Sequence, residues 1–264
     1  MKIVKVPLIN GLEKTRGCEE TPDKLKEILK KNTGKSVDFF DLNINNDNIR
    51  DANKKILENS KKFFNSSEKV LFLGGDHSIS YSLCKSFNEC VKNNSKQACL
   101  IVFDAHLDLM PVTKGAEDYP THEEWLRGLI DSGFSIENIL LVGVRNFYKI
   151  ENDFARKNKI KIMKLNAFVD DFSEACDSVM EFAFGKELYV SIDIDVIDPV
   201  FAPGTGYYEI GGFSNKEFLF LINRLKRMKN LRVIDLVEIN SKKDKNNLTL
   251  NLGAKIIEEF FYEK

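Results

Sequence analysis

Short apolar runs alternate with amphipathic segments along the chain. Runs of this length and composition, bounded by polar residues and turn formers, are typical of strands buried on both faces of a sheet. The pattern predicts strands at Ile3–Leu8, Val37–Phe40, Val70–Leu73, Leu100–Phe103, Ile139–Val144, Ile160–Met163, Leu188–Ile192 and Leu231–Val237.

Helical spacing of apolar residues predicts a helix in most of the intervals between those strands. Thr21 and Pro22 suit the N-cap and the first position of a helix over TPDKLKEILKK. The other predicted helices are Asp51–Phe64, Ser78–Val91, Glu123–Ser132, Glu151–Lys159, Ser173–Phe184, Asn215–Met228 and Leu248–Tyr262. Such alternation implies right-handed crossovers, so we expect an α/β layer sandwich with a mostly parallel sheet.

Composition and charge indicate which classes of protein are compatible with this predicted fold. No repeat, low-complexity tract or linker divides the 264 residues, so we expect one domain over 1–264. A net charge of −1 gives no electrostatic footprint for nucleic acid or an anionic membrane surface. The five cysteines form no CxxC pair, and no signal peptide or membrane span is evident. We therefore expect a cytoplasmic protein with reduced, mostly buried thiols.

Acidic residues and histidines follow three of the predicted strands. GGDHS follows Val70–Leu73, DAHLD follows Leu100–Phe103, and DIDVIDP follows Leu188–Ile192. In open α/β sheets, ligands bind outside the carboxyl ends of the strands. Alternate residues of an extended chain point to the same side, which predicts that Asp104, His106 and Asp108 converge, as do Asp193 and Asp195.

Carboxylates gathered at the end of a buried strand would repel one another, and a divalent cation removes that repulsion. With His77 included, four aspartates and two histidines suffice for two ions that share carboxylates. A set rich in carboxylate and free of thiolate favours Mn²⁺ over structural zinc. Two-metal centres, with ions ~3.5–4 Å apart, activate water and polarise an electrophile.

Each segment alone also has a plainer interpretation. DAHLD fits a surface loop with a capping aspartate, and GGDHS fits a common glycine turn. DIDVIDP fits a phosphatase strand end, the acidic pocket of a signalling receiver domain, or an Asx turn before Pro199. The three segments together hold two of the three histidines of the chain, which favours one shared site.

GGDHS, DAHLD and SIDIDVIDPVFAPGTG resemble, in order and spacing, the signature blocks of the ureohydrolases, the family of arginase and agmatinase. The resemblance implies a three-layer α/β/α sandwich with two Mn²⁺ ions per subunit, usually as a homotrimer or homohexamer. By that resemblance one ion is held by His77, Asp104, Asp108 and Asp193, and the other by Asp104, His106, Asp193 and Asp195. A hydroxide that bridges the ions would attack the guanidino carbon, releasing urea and an amine.

Two further residues gain a role from the same resemblance. His122, in PTHEEW, matches a histidine that carries a proton to the leaving amine, for which a near-neutral pKa is suited. Glu238, at the end of the last predicted strand, matches a glutamate that pairs with the guanidinium. Without the family, His122 would be a polar residue at a helix start and Glu238 a salt-bridged strand end. Asp76 and Asp198 are expected to orient neighbouring groups or to form turns.

The substrate is inferred from the residues after DAHLD. Arginases carry polar residues there for the α-amino and α-carboxylate groups, whereas this chain has Leu109, Met110, Pro111 and Val112. An apolar wall cannot satisfy a buried carboxylate, so we expect a small cationic substrate, agmatine. Arginine, guanidinobutyrate and formiminoglutamate stay open, because Tyr207 and Tyr208 alter the expected rim and the N-terminal region is short. A catalytically silent metal-binding relative is the non-enzyme alternative.

Overall fold

Eight strands form one parallel sheet in the part of the chain that the structure, a computed structural model, describes: residues 2–11, 13–33, 38–66 and 68–261. The strands are β1 (Lys2–Val6), β2 (Phe39–Asp41), β3 (Val70–Gly74), β4 (Ala98–Phe103), β5 (Ile139–Val142), β6 (Lys161–Met163), β7 (Glu187–Asp193) and β8 (Leu231–Val237). The helices are α1 (Thr21–Thr33), α2 (Ile49–Phe64), α3 (Ile79–Asn93), α4 (Trp125–Asp131), α5 (Lys149–Lys157), α6 (Ala167–Asp170), α7 (Phe172–Phe182), α8 (Asn215–Leu225) and α9 (Leu248–Phe261).

The strand order is β2-β1-β3-β8-β7-β4-β5-β6, and each neighbouring pair is parallel. All carboxyl ends therefore lie at one edge. The four central strands, β3, β8, β7 and β4, are the ones that precede the predicted site residues. Their apolar side chains are almost completely buried, as expected for a parallel sheet covered on both faces.

Helices cover both faces of the sheet and enclose two separate cores. One core contains Leu25 of α1, Cys176 of α7 and Ile256 of α9. The other contains Ile56 of α2 and Phe87 of α3. The predicted three-layer α/β/α sandwich is confirmed by this arrangement.

Some boundaries differ from the predictions for identifiable reasons. Thr21 is not an N-cap, since its backbone is already helical and its hydroxyl donates to the carbonyl oxygen of Ile239. The helix after β3 begins at Ile79, so Asp76 and His77 lie in the turn before it. Val37, the first residue of a predicted strand, and Tyr262, the last residue of a predicted helix, lie outside the described residues. The short α6 was not predicted, because four residues carry too little periodicity.

The five cysteines are free thiols, and all but the half-buried Cys90 are buried, as predicted. Across the described residues, no helix has both the length and the apolar character needed to cross a bilayer.

A close backbone approach sets the direction of the chain after β3. Gly75 lies against the first segment, where its amide donates to the carbonyl oxygen of Val6 at 3.1 Å. A Cβ on Gly75 would stand 2.0 Å from the carbonyl oxygen of Leu8. Only glycine fits this position, which immediately precedes Asp76 and His77.

Gly75→Ala is therefore expected to destabilise the protein by about 3 kcal/mol, because the new methyl group collides with backbone that cannot move aside. Equilibrium urea unfolding measures this loss. Gly133→Ala is the matched control: its Cβ meets nothing within 4 Å but φ is +97°, so it reports the left-handed conformation alone, roughly 1–2 kcal/mol. An equal loss in the two variants would contradict the proposed collision.

Candidate metal centre

The ends of β3, β4 and β7 bring the six predicted ligands together at one buried edge of the sheet. The Nδ1 atom of His77 lies 3.1 Å from Asp104 Oδ2, 3.1 Å from Asp108 Oδ2 and 3.3 Å from Asp193 Oδ2. The ligand atoms of His77, Asp104 and Asp108 all lie within 4.8 Å of one another, as a shared metal ion requires.

A second group adjoins the first and shares Asp104 with it. The Nδ1 atom of His106 lies 2.9 Å from Asp195 Oδ2 and 3.4 Å from Asp104 Oδ1. Asp104, His106 and Asp195 again present ligand atoms within 4.8 Å of one another. Asp104 is therefore common to two adjacent groups of side chains that could each hold a metal ion.

The convergence of the DAHLD side chains does not come from an extended chain, as the sequence had suggested. β4 ends at Phe103, and the backbone then turns: the amide of His106 donates to Asp104 Oδ1 at 2.7 Å. Asp108 has a left-handed backbone, with φ at +52°. Two turns, rather than strand alternation, direct these side chains inward.

A similar turn follows β7. Asp193 is the last residue of the strand, and its Oδ1 accepts the amide of Asp195 at 2.9 Å. Asp195 lies in a short 3₁₀ turn, and its Oδ1 accepts the amide of Ala105 at 3.0 Å. Each carboxylate thus uses one oxygen for backbone contacts and directs the other toward a histidine.

A buried hydrogen-bond chain fixes the tautomer of His77. Asp235 is completely buried in β8 and accepts hydrogen bonds from Ser191, Tyr189 and Ser80 at 2.6, 2.6 and 2.8 Å. Since Ser191 gives its only hydrogen to Asp235, its Oγ must accept from His77 Nε2, 2.9 Å away. In the neutral ring, Nδ1 then carries the lone pair.

That lone pair supplies the test of whether the residues fit a metal. His77 Nδ1 is buried and makes no hydrogen bond, yet it faces three carboxylates. A lone pair opposite carboxylates is repulsive, and either a proton on Nδ1 or a metal ion between the nitrogen and the carboxylates removes that repulsion. Imidazole nitrogen with several carboxylate oxygens and no thiolate is a donor set suited to Mn²⁺. The residues present therefore fit a divalent cation.

The electrostatics of the cluster lead to the same conclusion. Burial alone would lower the pKa of His77, but Asp104, Asp108 and Asp193 outweigh it and raise that pKa well above its usual range. Burial, together with the charges of Asp195 and Asp104, raises the pKa of Asp193. A metal ion would have to displace protons from such groups, which makes its binding dependent on pH.

His122 and Glu238 lie in the same cavity as the predicted ligands. His122 Nδ1 is 3.6 Å from Glu238 Oε1, and both side chains are almost fully buried. Glu238 directly follows β8 and has a left-handed backbone, with φ at +62°. Burial raises the pKa of the Glu238 carboxyl to about 7, against the opposing effect of His122.

Asp76 and Asp198 form turns. Asp76 accepts the amide of Asn10 at 2.6 Å, together with the amide and hydroxyl of Ser78. Asp198 accepts the amides of Val200, Gly211 and Gly212. Neither belongs to the two groups of candidate ligands described above.

The altered segment TGYY contributes Tyr207 to the wall of the cavity. The Tyr207 ring lies 5.5 Å from that of His122 and 5.7 Å from that of His106. The Tyr207 hydroxyl is 3.4 Å from His122 Nε2. The Nζ atom of Lys14, from the N-terminal segment, lies over the Tyr207 ring, 4.7 Å from its centroid.

The sequence did not reveal three residues that support the ligands: Ser191, Asp235 and Trp125. The first two are polar positions inside apolar strand patterns, and Trp125 occupied an expected helix position. A charged residue in the middle of a strand as apolar as LRVIDLV is a usable signal, since a buried carboxylate must be satisfied.

Known proteins are similar to this chain over most of its length. The model of the arginase family matches residues 1–262. An agmatinase of Bacillus subtilis (strain 168) is 31% identical over 188 residues, 71% of this chain and 61% of the agmatinase. An arginase of Staphylococcus aureus (strain COL) is 28% identical over 235 residues, covering 83% of this chain and 76% of the arginase.

A solved structure supports the fold. The crystal structure of arginase from Bacillus cereus superposes with a TM-score of 0.84 at 22% identity, covering 100% of this chain and 98% of that chain. At this identity the likeness establishes the three-layer fold alone.

Replacing one predicted shared ligand should abolish metal binding. Asp193→Asn is expected to remove the rise in melting temperature that Mn²⁺ gives to protein previously dialysed against a chelator, because a ligand bound only in the folded state stabilises that state. Thermal unfolding with and without Mn²⁺ measures it. Asp198→Asn is the matched control and should keep the Mn²⁺ response. An Asp193→Asn protein with an unchanged response would contradict the ligand assignment.

Proposed function

The chain belongs to the arginase family, and on that premise we propose that it hydrolyses agmatine to putrescine and urea at a binuclear manganese centre. One observation carries the proposal: the buried, unbonded Nδ1 of His77 and its carboxylates share a cavity with Glu238 and His122. The metal ligands, which would activate water, thus adjoin Glu238, which would bind the cationic substrate, and His122, which would transfer a proton.

The two groups of ligand atoms support the division expected from the family. His77, Asp104, Asp108 and Asp193 would hold one ion, and Asp104, His106, Asp193 and Asp195 the other. When bound, such ions lower the pKa of coordinated water to about 7 and so provide a nucleophile at neutral pH.

In the proposed reaction, Glu238 receives the guanidinium. The amide of His77 donates to its Oε1 at 3.0 Å, which fixes the carboxylate next to the metal ligands. Burial disfavours the charged form of the Glu238 carboxyl and so raises its pKa. A bound cation would offset this effect and stabilise the carboxylate. A planar guanidinium paired with this carboxylate would present its carbon toward the cluster.

In the proposed reaction, His122 delivers the proton that the leaving amine requires. Burial alone would lower the pKa of His122, but the negative charges of Glu238, Asp76, Asp108 and Glu123 together outweigh that effect and raise it. A protonated His122 between Glu238 and Tyr207 can donate to an amine as the C–N bond breaks. Because His122 lies 3.6 Å from Glu238, this proton donor would lie beside a guanidinium bound to Glu238.

The cavity wall favours a substrate that is cationic and has an aliphatic tether. Met110 lines it with an apolar side chain, while Glu123 and Glu151 add carboxylates. Among the described residues that line the cavity there is no Lys or Arg to pair with a substrate carboxylate. Agmatine, with a guanidinium at one end and an ammonium at the other, fits this surface.

One observation favours arginine as a second candidate. Lys14 lies at the rim over Tyr207 and is the type of group that would pair with an α-carboxylate. In this alternative the substrate enters with its carboxylate facing the N-terminal segment.

A substrate panel tests the proposal. Urea release with Mn²⁺ from agmatine, arginine and guanidinobutyrate, and formamide release from formiminoglutamate, are measured as kcat/KM. We expect agmatine to give the highest value, because the cavity lining pairs with cations and not with carboxylates. A higher value for arginine would move the assignment to the second candidate. No hydrolysis of any of the four would favour the catalytically silent relative.

Two substitutions separate binding from proton transfer. Glu238→Gln should raise KM for agmatine roughly 10–100-fold, since a charge-assisted contact of about 1.5–3 kcal/mol is lost. His122→Asn should lower kcat roughly 10²–10⁴-fold by removing the proton donor. Steady-state kinetics measure both, and Glu58→Gln, on the exposed face of α2, is the control. If His122→Asn changed KM alone, the proton-transfer role would be wrong.

A further inference from the structure

Trp125 is the only tryptophan of the chain, and it is completely buried beside the candidate metal ligands. Its indole Nε1 donates a hydrogen bond of 2.7 Å to Asp108 Oδ2. Its ring lies against the imidazole of His77, with ring centroids 4.6 Å apart and an angle of 35° between the planes. One side chain thus contacts a residue that follows β3 and a residue that follows β4.

The backbone around Trp125 holds the same turn from the other side. The amide of Arg127 donates to the carbonyl oxygen of Asp108 at 3.3 Å, and the amide of Met110 donates to that of Glu123 at 3.0 Å. Asp108 needs this support, because a left-handed backbone with φ at +52° is unfavourable for a residue with a side chain.

The physical effect of the indole is to select one orientation of a carboxylate. A free aspartate rotates about its side-chain bonds, and three carboxylates near one imidazole would turn away from one another. A hydrogen bond from a buried donor to a charged acceptor opposes that rotation and is stronger than a neutral one. The indole is completely buried in the core cluster that also contains Leu126 and Leu129, which restricts its own rotation.

We propose that Trp125 is a positioning residue of the metal centre, which holds Asp108 and His77 in the arrangement that one divalent ion requires. The inference rests on the proposed centre and adds to it a residue outside the ligand set. Partners of metal ligands typically contribute 10–100-fold to metal affinity. The segment THEEW then serves two purposes, because it also carries His122.

The test is the affinity for Mn²⁺, measured by isothermal calorimetry on full-length protein without substrate. Trp125→Phe keeps an aromatic ring but lacks the N–H group. We expect this substitution to raise the dissociation constant of one Mn²⁺ ion roughly 10–100-fold and to change that of the other ion less. Leu129→Ala is the matched control: it removes buried apolar volume from the same helix and should lower stability without changing Mn²⁺ affinity.

A second measurement uses the unaltered protein, so that it does not depend on how the variant folds. A single tryptophan gives one indole N–H signal in a nitrogen–proton NMR spectrum. We expect this proton to be protected from exchange with D₂O both before and after loading with Zn²⁺ as a diamagnetic probe. Loss of protection on loading would overturn the proposal.

The outcomes separate the two levels of inference. If the unaltered protein binds no Mn²⁺, the metal centre itself is wrong. If the unaltered protein binds Mn²⁺ and Trp125→Phe binds both ions as tightly as Leu129→Ala does, the centre stands and the role of Trp125 is wrong.

Discussion

The repulsion between buried carboxylates is the constraint on which the rest of this structure depends. Four aspartates meet at one edge of a sheet, and two imidazoles are placed among them. Such a cluster persists only if each carboxylate is held in place and a cation compensates the charge. The Asx turns after β4 and β7, the left-handed Asp108 and the contacts of Ser191 with His77 all serve the first requirement.

The sequence predicted the fold because its signals are local. Apolar runs of β3, β4, β7 and β8 identify buried strands, and parallel pairing follows from the helices between them. It also predicted which residues gather, since strand ends in such folds share an edge. It did not predict how they gather: Asp104, His106 and Asp108 converge through turns whose geometry depends on contacts with Asp195 and the α4 segment.

Residues that act through others were beyond the sequence for a related reason. Asp235 supports His77 through Ser191, and these three residues lie on or after three different strands. The sequence pattern of a single strand does not indicate this contact between residues of different strands. The substrate is limited in the same way, because Glu123, Tyr207 and Lys14 come from three segments that meet only at the rim of the cavity. The candidate metal ligands lie at the ends of the strands, whereas the residues proposed to select the substrate lie on loops.

The position of β8 has a consequence for how the protein is made. It is the last strand in the chain, yet it lies between β3 and β7 in the sheet. During synthesis β4 and β7 both leave the ribosome before β8 does. The sheet connects β3 to β7 only through β8. A nascent chain that ends before β8 therefore lacks the strand that lies between the segments of His77 and Asp193.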